Sequence, residues 1–236
     1  MGLRGFKDSQ GTIEIDLAKS EQELWENVDK DGRWGVKKAE KENLTIKEDF
    51  FPADLAQFFE IYQETCLYGG INPHSKEEID KENTKFFLCY KDNKVIAGSA
   101  VIINNKERFT LFLNASHNDY LKYQPNNLLY WHCIIWGKKN NYKIFDLGGY
   151  QLGAKPGEKL YNINRFKERW GGQIKINYVY SYNLFYIIGR KLIKNSAFFK
   201  KIWDKIQKRP EPPKKPAIEE IKPGKAKEIV EKKTIK

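Results

Sequence analysis

Apolar side chains recur along this chain at two spacings, and those spacings divide it into short elements. In TIEIDL (Thr12–Leu17), Ile13, Ile15 and Leu17 alternate with polar residues, which predicts a strand. In the following SEQELWENV, Ser20 and Glu23 have capping-box spacing, so a helix is expected to run to about Val28. A second helix is expected from Gly32 to about Lys41, with Arg33 and Lys37 four residues apart on one face. Leu44–Glu48 reads as a short strand. Pro52 suits the first turn of a helix whose Leu55, Phe58, Phe59 and Tyr62 make an amphipathic face, and Gly69-Gly70 ends it. SKEEIDKEN is a short polar helix. Strands follow at Thr84–Lys91, Val95–Ile103 and Arg108–Ala115. The tight turn Asp92-Asn93-Lys94 joins the first two, so the three form an antiparallel meander. Then come a helix over Pro125–Lys139, a strand over Tyr142–Leu147 ended by Gly148-Gly149, and a short helix around Leu160–Trp170. Strands at Gln173–Tyr180 and Leu184–Ile188 and a helix over Ile187–Ile206 complete the order. Helices bracketing a mixed, largely antiparallel sheet predict a single α/β (α+β) domain.

Composition sharpens this picture in two places. The chain has 236 residues, 40% of them hydrophobic and 14% aromatic, enough for one domain with a real core. Its three cysteines, Cys66, Cys89 and Cys133, form no CxxC pair, which argues for core packing and against a disulfide framework or a zinc site. No run of about 18 apolar residues exists. The opening MGLRGFKDSQ lacks an apolar signal core, so a cytoplasmic chain that does not span a membrane is expected. The net charge of +11 is unevenly spread. Residues from Arg190 onward hold 16 basic and 6 acidic side chains, whereas residues 1–189 hold 26 and 25. A nearly neutral body therefore carries a cationic C-terminal extension. The layout is an N-terminal extension (1–11), a domain (12–190), a basic amphipathic helix (191–207) and a tail (208–236). The tail holds five of the nine prolines and no aromatics, and is expected to be disordered. In the helix, Phe198, Phe199, Ile202 and Trp203 alternate with lysines, which suits packing on the domain's own sheet or an anionic membrane surface.

For chemistry, absences come first. GxxxxGK[ST], GxSxG and HExxH are missing. His132 and Cys133 are sequence neighbours, so their side chains diverge by about 100° on a helix and do not make a nucleophile–base pair. FDLGGY puts Asp146 near a strand end. Gly148 and Gly149 after it either mark a plain turn or let the backbone approach a ligand closely. NRFKERWGG places Phe166 beside Lys167 at a helix end, a position that is ordinarily surface.

Taken in order, TIEIDL with SEQELW, RWGVKKAEKENLTI, CYKDNKVIAGSAVI, LNASHNDYLKYQPNNLLYWHCIIWGKKN, FDLGGY and FKERWGG resemble the Fem family (FemABX) of peptidoglycan cross-bridge aminoacyltransferases. The likeness runs over about residues 10–190 and matches the second of the two GNAT-like domains typical of that family. The resemblance implies a GNAT-like fold with aminoacyl-tRNA as co-substrate and neither cofactor nor metal. It implies as acceptor an amine on the stem peptide of a peptidoglycan precursor, lipid-linked at the inner membrane face. It also implies a partner chain that supplies the first domain, since too few residues precede Thr12 for one. By the same resemblance Lys167 would stabilise the oxyanion, Phe166 would seat the tRNA acceptor end and Arg33 would meet the precursor's phosphates. The spacing adds Lys37 to that face. Asp146 and Tyr150, with Gly148 and Gly149, are candidates for shaping the acceptor-amine site. Two other functions compete. An acyl-CoA-dependent GNAT N-acyltransferase would need a Gly-rich turn before the central helix, but ASHNDYLKYQPNNLL has no glycine, and Pro125 removes a donor. A non-catalytic binding module would be marked by loss of the FK lysine, and Lys167 is present.

Overall fold

The computed structural model describes residues 6–181. The chain order is β1 (Phe6–Asp16), α1 (Glu21–Asn27), α2 (Lys30–Lys41), β2 (Thr45–Lys47), α3 (Pro52–Gly69), α4 (Lys76–Ile79), β3 (Thr84–Lys91), β4 (Lys94–Ile103) and β5 (Arg108–Ser116). A 3-10 helix (Asn118–Tyr123) follows, then α5 (Pro125–Lys139), β6 (Ile144–Tyr150), α6 (Lys159–Glu168) and β7 (Gln173–Ser181). The expected strand Leu184–Ile188, the amphipathic helix at 191–207 and the tail at 208–236 lie outside the described residues.

Local chemistry accounts for the element ends. The capping box at α1 is complete: Ser20 Oγ accepts from the Glu23 amide at 3.2 Å, and the Glu23 carboxylate accepts from the Ser20 amide at 2.8 Å. Helix α2 starts two residues before the expected Gly32, because Asp29 accepts from the Gly32 amide and so becomes the N-cap. Gly70, in the left-handed region, ends α3. Strand β1 begins at Phe6, well before the expected Thr12, because its backbone pairs with β7 from Phe6↔Ser181 to Glu14↔Gln173. Residues 6–11 of the expected N-terminal extension are thus strand. Strand β6 also departs from expectation. It does not stop at Gly148-Gly149 but runs through both to Tyr150, paired to β1 at Thr12↔Gly149 and Gly11↔Tyr150.

Among the described residues, seven strands form one mixed sheet in the order β2-β3-β4-β5-β6-β1-β7, antiparallel except at the β5–β6 junction. Helices cover both faces. Alternation on β3 sends Phe87 and Cys89 to the layer holding Leu24, Val36, Leu129 and Cys133, and sends Phe86, Leu88 and Tyr90 to the layer holding Phe58, Phe59 and Ile79. Strand β5 breaks this rule. Phe109 and Leu111 face the first layer, but Leu113 and Ala115 face the second. A bulge explains the switch: Val101 pairs with Leu111 and Ala100 with Leu113, leaving Phe112 as the extra residue. All three cysteines are free and buried, and burial pushes the Cys89 thiol up to about 12. Among the described residues no helix is long and apolar enough to cross a membrane.

Candidate active site

The one parallel junction among the described strands is short. Strands β5 and β6 pair only over Arg108–Thr110 and Ile144–Asp146, although both continue well beyond. Each then carries a bulge. On β5 it is Phe112. On β6 the register with β1 jumps from Glu14↔Asp146 to Thr12↔Gly149, and Gly148 sits there at φ +69°. Bulges bend strands, and two of them facing each other turn β5 and β6 apart. The gap is a cleft of about 480 Å³. Strand β5 lines it with Leu111 and Asn114, β6 with Gly148 and Gly149, α5 with Asn126 and Tyr130, and α6 with Phe166 and Lys167.

Lys167, in the last turn of α6, donates from Nζ to the Gly149 carbonyl at 2.8 Å. Burial pulls its pKa down to about 8, with the Asp146 carboxylate partly opposing the shift. Phe166 stands edge-on to Tyr130, ring centroids 5.0 Å apart, on the same wall. Lys167, Phe166, Gly148 and Gly149 therefore meet in one cleft.

Asp146 is outside the cleft lining and lies within β6, at the last residue pair of the β5–β6 junction, rather than at a strand end. Its carboxylate accepts from Thr12 Oγ1, from the Gly148 amide at 2.8 Å and from the Arg108 guanidinium, which also pairs with Glu14 at 2.7 Å. Each of these bonds goes to the protein and holds the β6 bulge in place. Tyr150 is outside the lining. Its phenol donates to Glu168 at 2.8 Å, which ties β6 to α6 and raises its pKa. Arg33 donates to the Glu26 carbonyl at 3.1 Å and to that of Val28, closing the C-terminus of α1. Lys37 is exposed on α2 in a shallow depression with Trp34, Lys38 and Lys41. Neither lines the β5–β6 cleft. Nor do His132 and Cys133 form a pair: His132 Nε2 is 3.3 Å from Glu48, and Cys133 is sealed in the core.

Three features escape sequence reasoning. Ser99 Oγ donates to Asn114 Oδ1 at 2.6 Å, and Asn114 Nδ2 donates to Asn126 Oδ1 at 2.8 Å, making a polar rung at the cleft wall. Asn164 is buried and exchanges two hydrogen bonds with the backbone of Gln151, at 2.9 and 3.0 Å, pinning α6 to the end of β6. Tyr130 is hidden in the apolar run of α5. An asparagine inside a strand, a position where that residue is depleted, is the signal that points to Asn114. Nothing local marks Asn164 or Tyr130.

The acetyltransferase (GNAT) domain family matches the chain over residues 33–168. No curated protein matches it in sequence. Among solved structures, FemX superposes with a TM-score of 0.64 at 13% identity, covering 77% of this chain and 63% of its own. The C-terminal domain (DUF2156) of an Agrobacterium fabrum protein named as a lysylphosphatidylglycerol synthetase gives 0.62 at 13% identity, covering 80% and 67%. L-PGS from Bacillus licheniformis gives 0.57 at 14%, covering 75% and 61%. At these identities the likeness is one of fold, and the chain spans less than two thirds of the FemX and L-PGS chains.

Proposed function

The chain belongs to the acetyltransferase (GNAT) domain family, and on that premise we propose that its β5–β6 cleft transfers an aminoacyl group from aminoacyl-tRNA to an amine of a peptidoglycan precursor. The observation that carries this reading is Lys167, a half-buried cation fixed by the Gly149 carbonyl at the cleft wall. The reaction is aminolysis of an ester. The amine attacks the carbonyl carbon, a C–N bond forms, the C–O bond to the ribose breaks, and the leaving oxygen takes up the proton that the amine loses. Negative charge gathers on the carbonyl oxygen in between. A positioned ammonium in a partly dewatered cleft offsets that charge without reorganising. The position is held by structure: Asp146 latches the bulge that presents Gly149, while Tyr150–Glu168 and Asn164–Gln151 hold α6. Phe166 offers an aromatic face to the acceptor end of the tRNA.

The fold likeness to FemX and L-PGS, and the resemblance of FDLGGY and FKERWGG to the Fem family, support this substrate class. Under this reading the acceptor is lipid-linked at the inner membrane face, and the basic segment at 191–207 meets the anionic leaflet. Lys37 is free to meet the precursor's phosphates, whereas Arg33 is committed to the α1 carbonyls.

Acyl-CoA use is the second reading, favoured by the family's general activity. The start of α5 speaks against it. Pro125 has no N–H, the Gln124 amide is spent on Leu121 at 3.0 Å and the Asn127 amide on Gln124 at 3.1 Å. Only the Asn126 amide remains of the group that would cradle a pyrophosphate. The test offers the full chain, with one stem-peptide acceptor, a mixture of aminoacyl-tRNAs and, separately, acetyl-CoA. The expected product is an aminoacyl amide identified by mass. Acetyl-CoA is expected to bind no tighter than about millimolar, about 4 kcal/mol of binding free energy. An acetylated product, or micromolar acetyl-CoA affinity, would reverse the assignment.

A further inference from the structure

Tyr130 is 5% exposed, yet it lines the cleft. Its ring is stacked on Trp170 at 5.3 Å and stands edge-on to Phe166 at 5.0 Å, so its direction is fixed by packing. Its hydroxyl makes no hydrogen bond to any described residue. It is also not among the sealed side-chain atoms without a hydrogen bond, such as Trp170 Nε1. The hydroxyl therefore opens on the cleft. A polar group held almost out of water with no partner is costly to keep, and a ligand in the cleft is the partner that would offset the cost. Burial and the neighbouring Cys133 push the phenol's pKa up, so it stays a neutral O–H across the working range. A neutral phenol in such a place is a hydrogen-bond donor and not a base.

We propose that Tyr130 is a further catalytic residue, donating a hydrogen bond to the carbonyl oxygen of the bound acyl group and to the oxyanion that forms there. It approaches from α5, and Lys167 approaches from α6. The inference rests on the acyl-transfer reading of the cleft. Tyr130 keeps its proton throughout. The proton balance is that of the aminolysis itself, from attacking amine to leaving oxygen. Two donors converging on one oxygen, one neutral and one cationic, make an oxyanion site whose parts lie far apart in sequence.

Tyr130→Phe is the discriminating variant, because it retains the ring that packs on Trp170 and Phe166 and removes only the hydroxyl. Since that hydroxyl makes no bond to the described protein and is costly to keep there, thermal stability is expected to be unchanged or raised. The rate constant for aminoacyl transfer should fall about 10²-fold, the scale of one lost oxyanion donor, with KM nearly constant. A wild-type rate in Tyr130→Phe would overturn the proposal. A parallel titration uses an inert probe, an aminoacyl group amide-linked to 3′-amino-3′-deoxyadenosine. Its dissociation constant should rise about tenfold in the variant, the loss of one buried hydrogen bond. If the wild type transfers nothing, the functional reading fails while this binding comparison still judges Tyr130. Equal affinities of wild type and variant for the probe would then refute it.

Discussion

At the scale of single residues, Lys167 illustrates how a fold gives an ordinary side chain an unusual property. The sequence places it beside Phe166 at a helix end, where a lysine is normally solvated. In the fold the Gly149 carbonyl, 18 residues upstream, takes its ammonium, and burial lowers its pKa from 10.5 to about 8. This has a consequence for stability. Between about pH 8 and 10.5 the unfolded chain still holds the proton that the native state has released, so wild-type stability gains from this residue as pH rises through that window. Urea unfolding of wild type and Lys167→Met across pH 7–10.5 should show the wild type rising relative to the variant over that range. A difference that is flat with pH would mean that Lys167 titrates normally. Asp146 shows the same limit of sequence reading. Its position in FDLGGY is legible, but its bonds to Thr12, Arg108 and Gly148 come from three parts of the chain. Those bonds hold the bulge.

At the scale of elements, the cleft exists because β6 is kinked at one glycine and not at the next. Gly148 lies at φ +69°, and a Cβ there would come within 2.8 Å of the Leu111 carbonyl on β5. Gly149 has open space around it. Gly148→Ala should therefore cost about 1–3 kcal/mol from a strained backbone alone, and it should also displace the β5 wall and lower transfer. Gly149→Ala should fall within about 0.5 kcal/mol of wild type. Denaturant unfolding of the two variants checks the contrast, and equal costs would mean that the bulge does not set the cleft. Most elements were legible because their signals are local: the capping box at Ser20, Pro52 and Pro125 at helix starts, the Asp92-Asn93 turn, and alternation on β3. The end of β6 and the β5 bulge were not. Both are set by the register of a neighbouring strand, and a bulge leaves no mark in a period-two pattern. The early start of β1 was missed for the same reason, since β7 pairs with a polar stretch.

At the scale of the whole molecule, the cleft is where the strand order changes direction, between the β2–β5 meander and the β6-β1-β7 half of the sheet. The fold class followed from the order of elements, and the substrate class rests on motifs that are weak singly and informative in sequence. Which of them meet was not legible: FDLGGY and FKERWGG share a wall, while Arg33 and Lys37 lie on α2, outside it. Because residues 1–189 are almost neutral overall, Lys167 acts as a local charge rather than as part of a general cationic field. The catalytic use of that charge is the claim on which the account turns. Single-turnover aminoacyl transfer from aminoacyl-tRNA should be measured from pH 6 to 10 for wild type and Lys167→Ala, and the two rates expressed as a ratio, which cancels titration of the substrate amine. The account predicts a ratio of about 10²–10³ at low pH, falling as pH rises through about 8, where Lys167 loses its charge. A ratio near one, or one that does not change across that range, would contradict it.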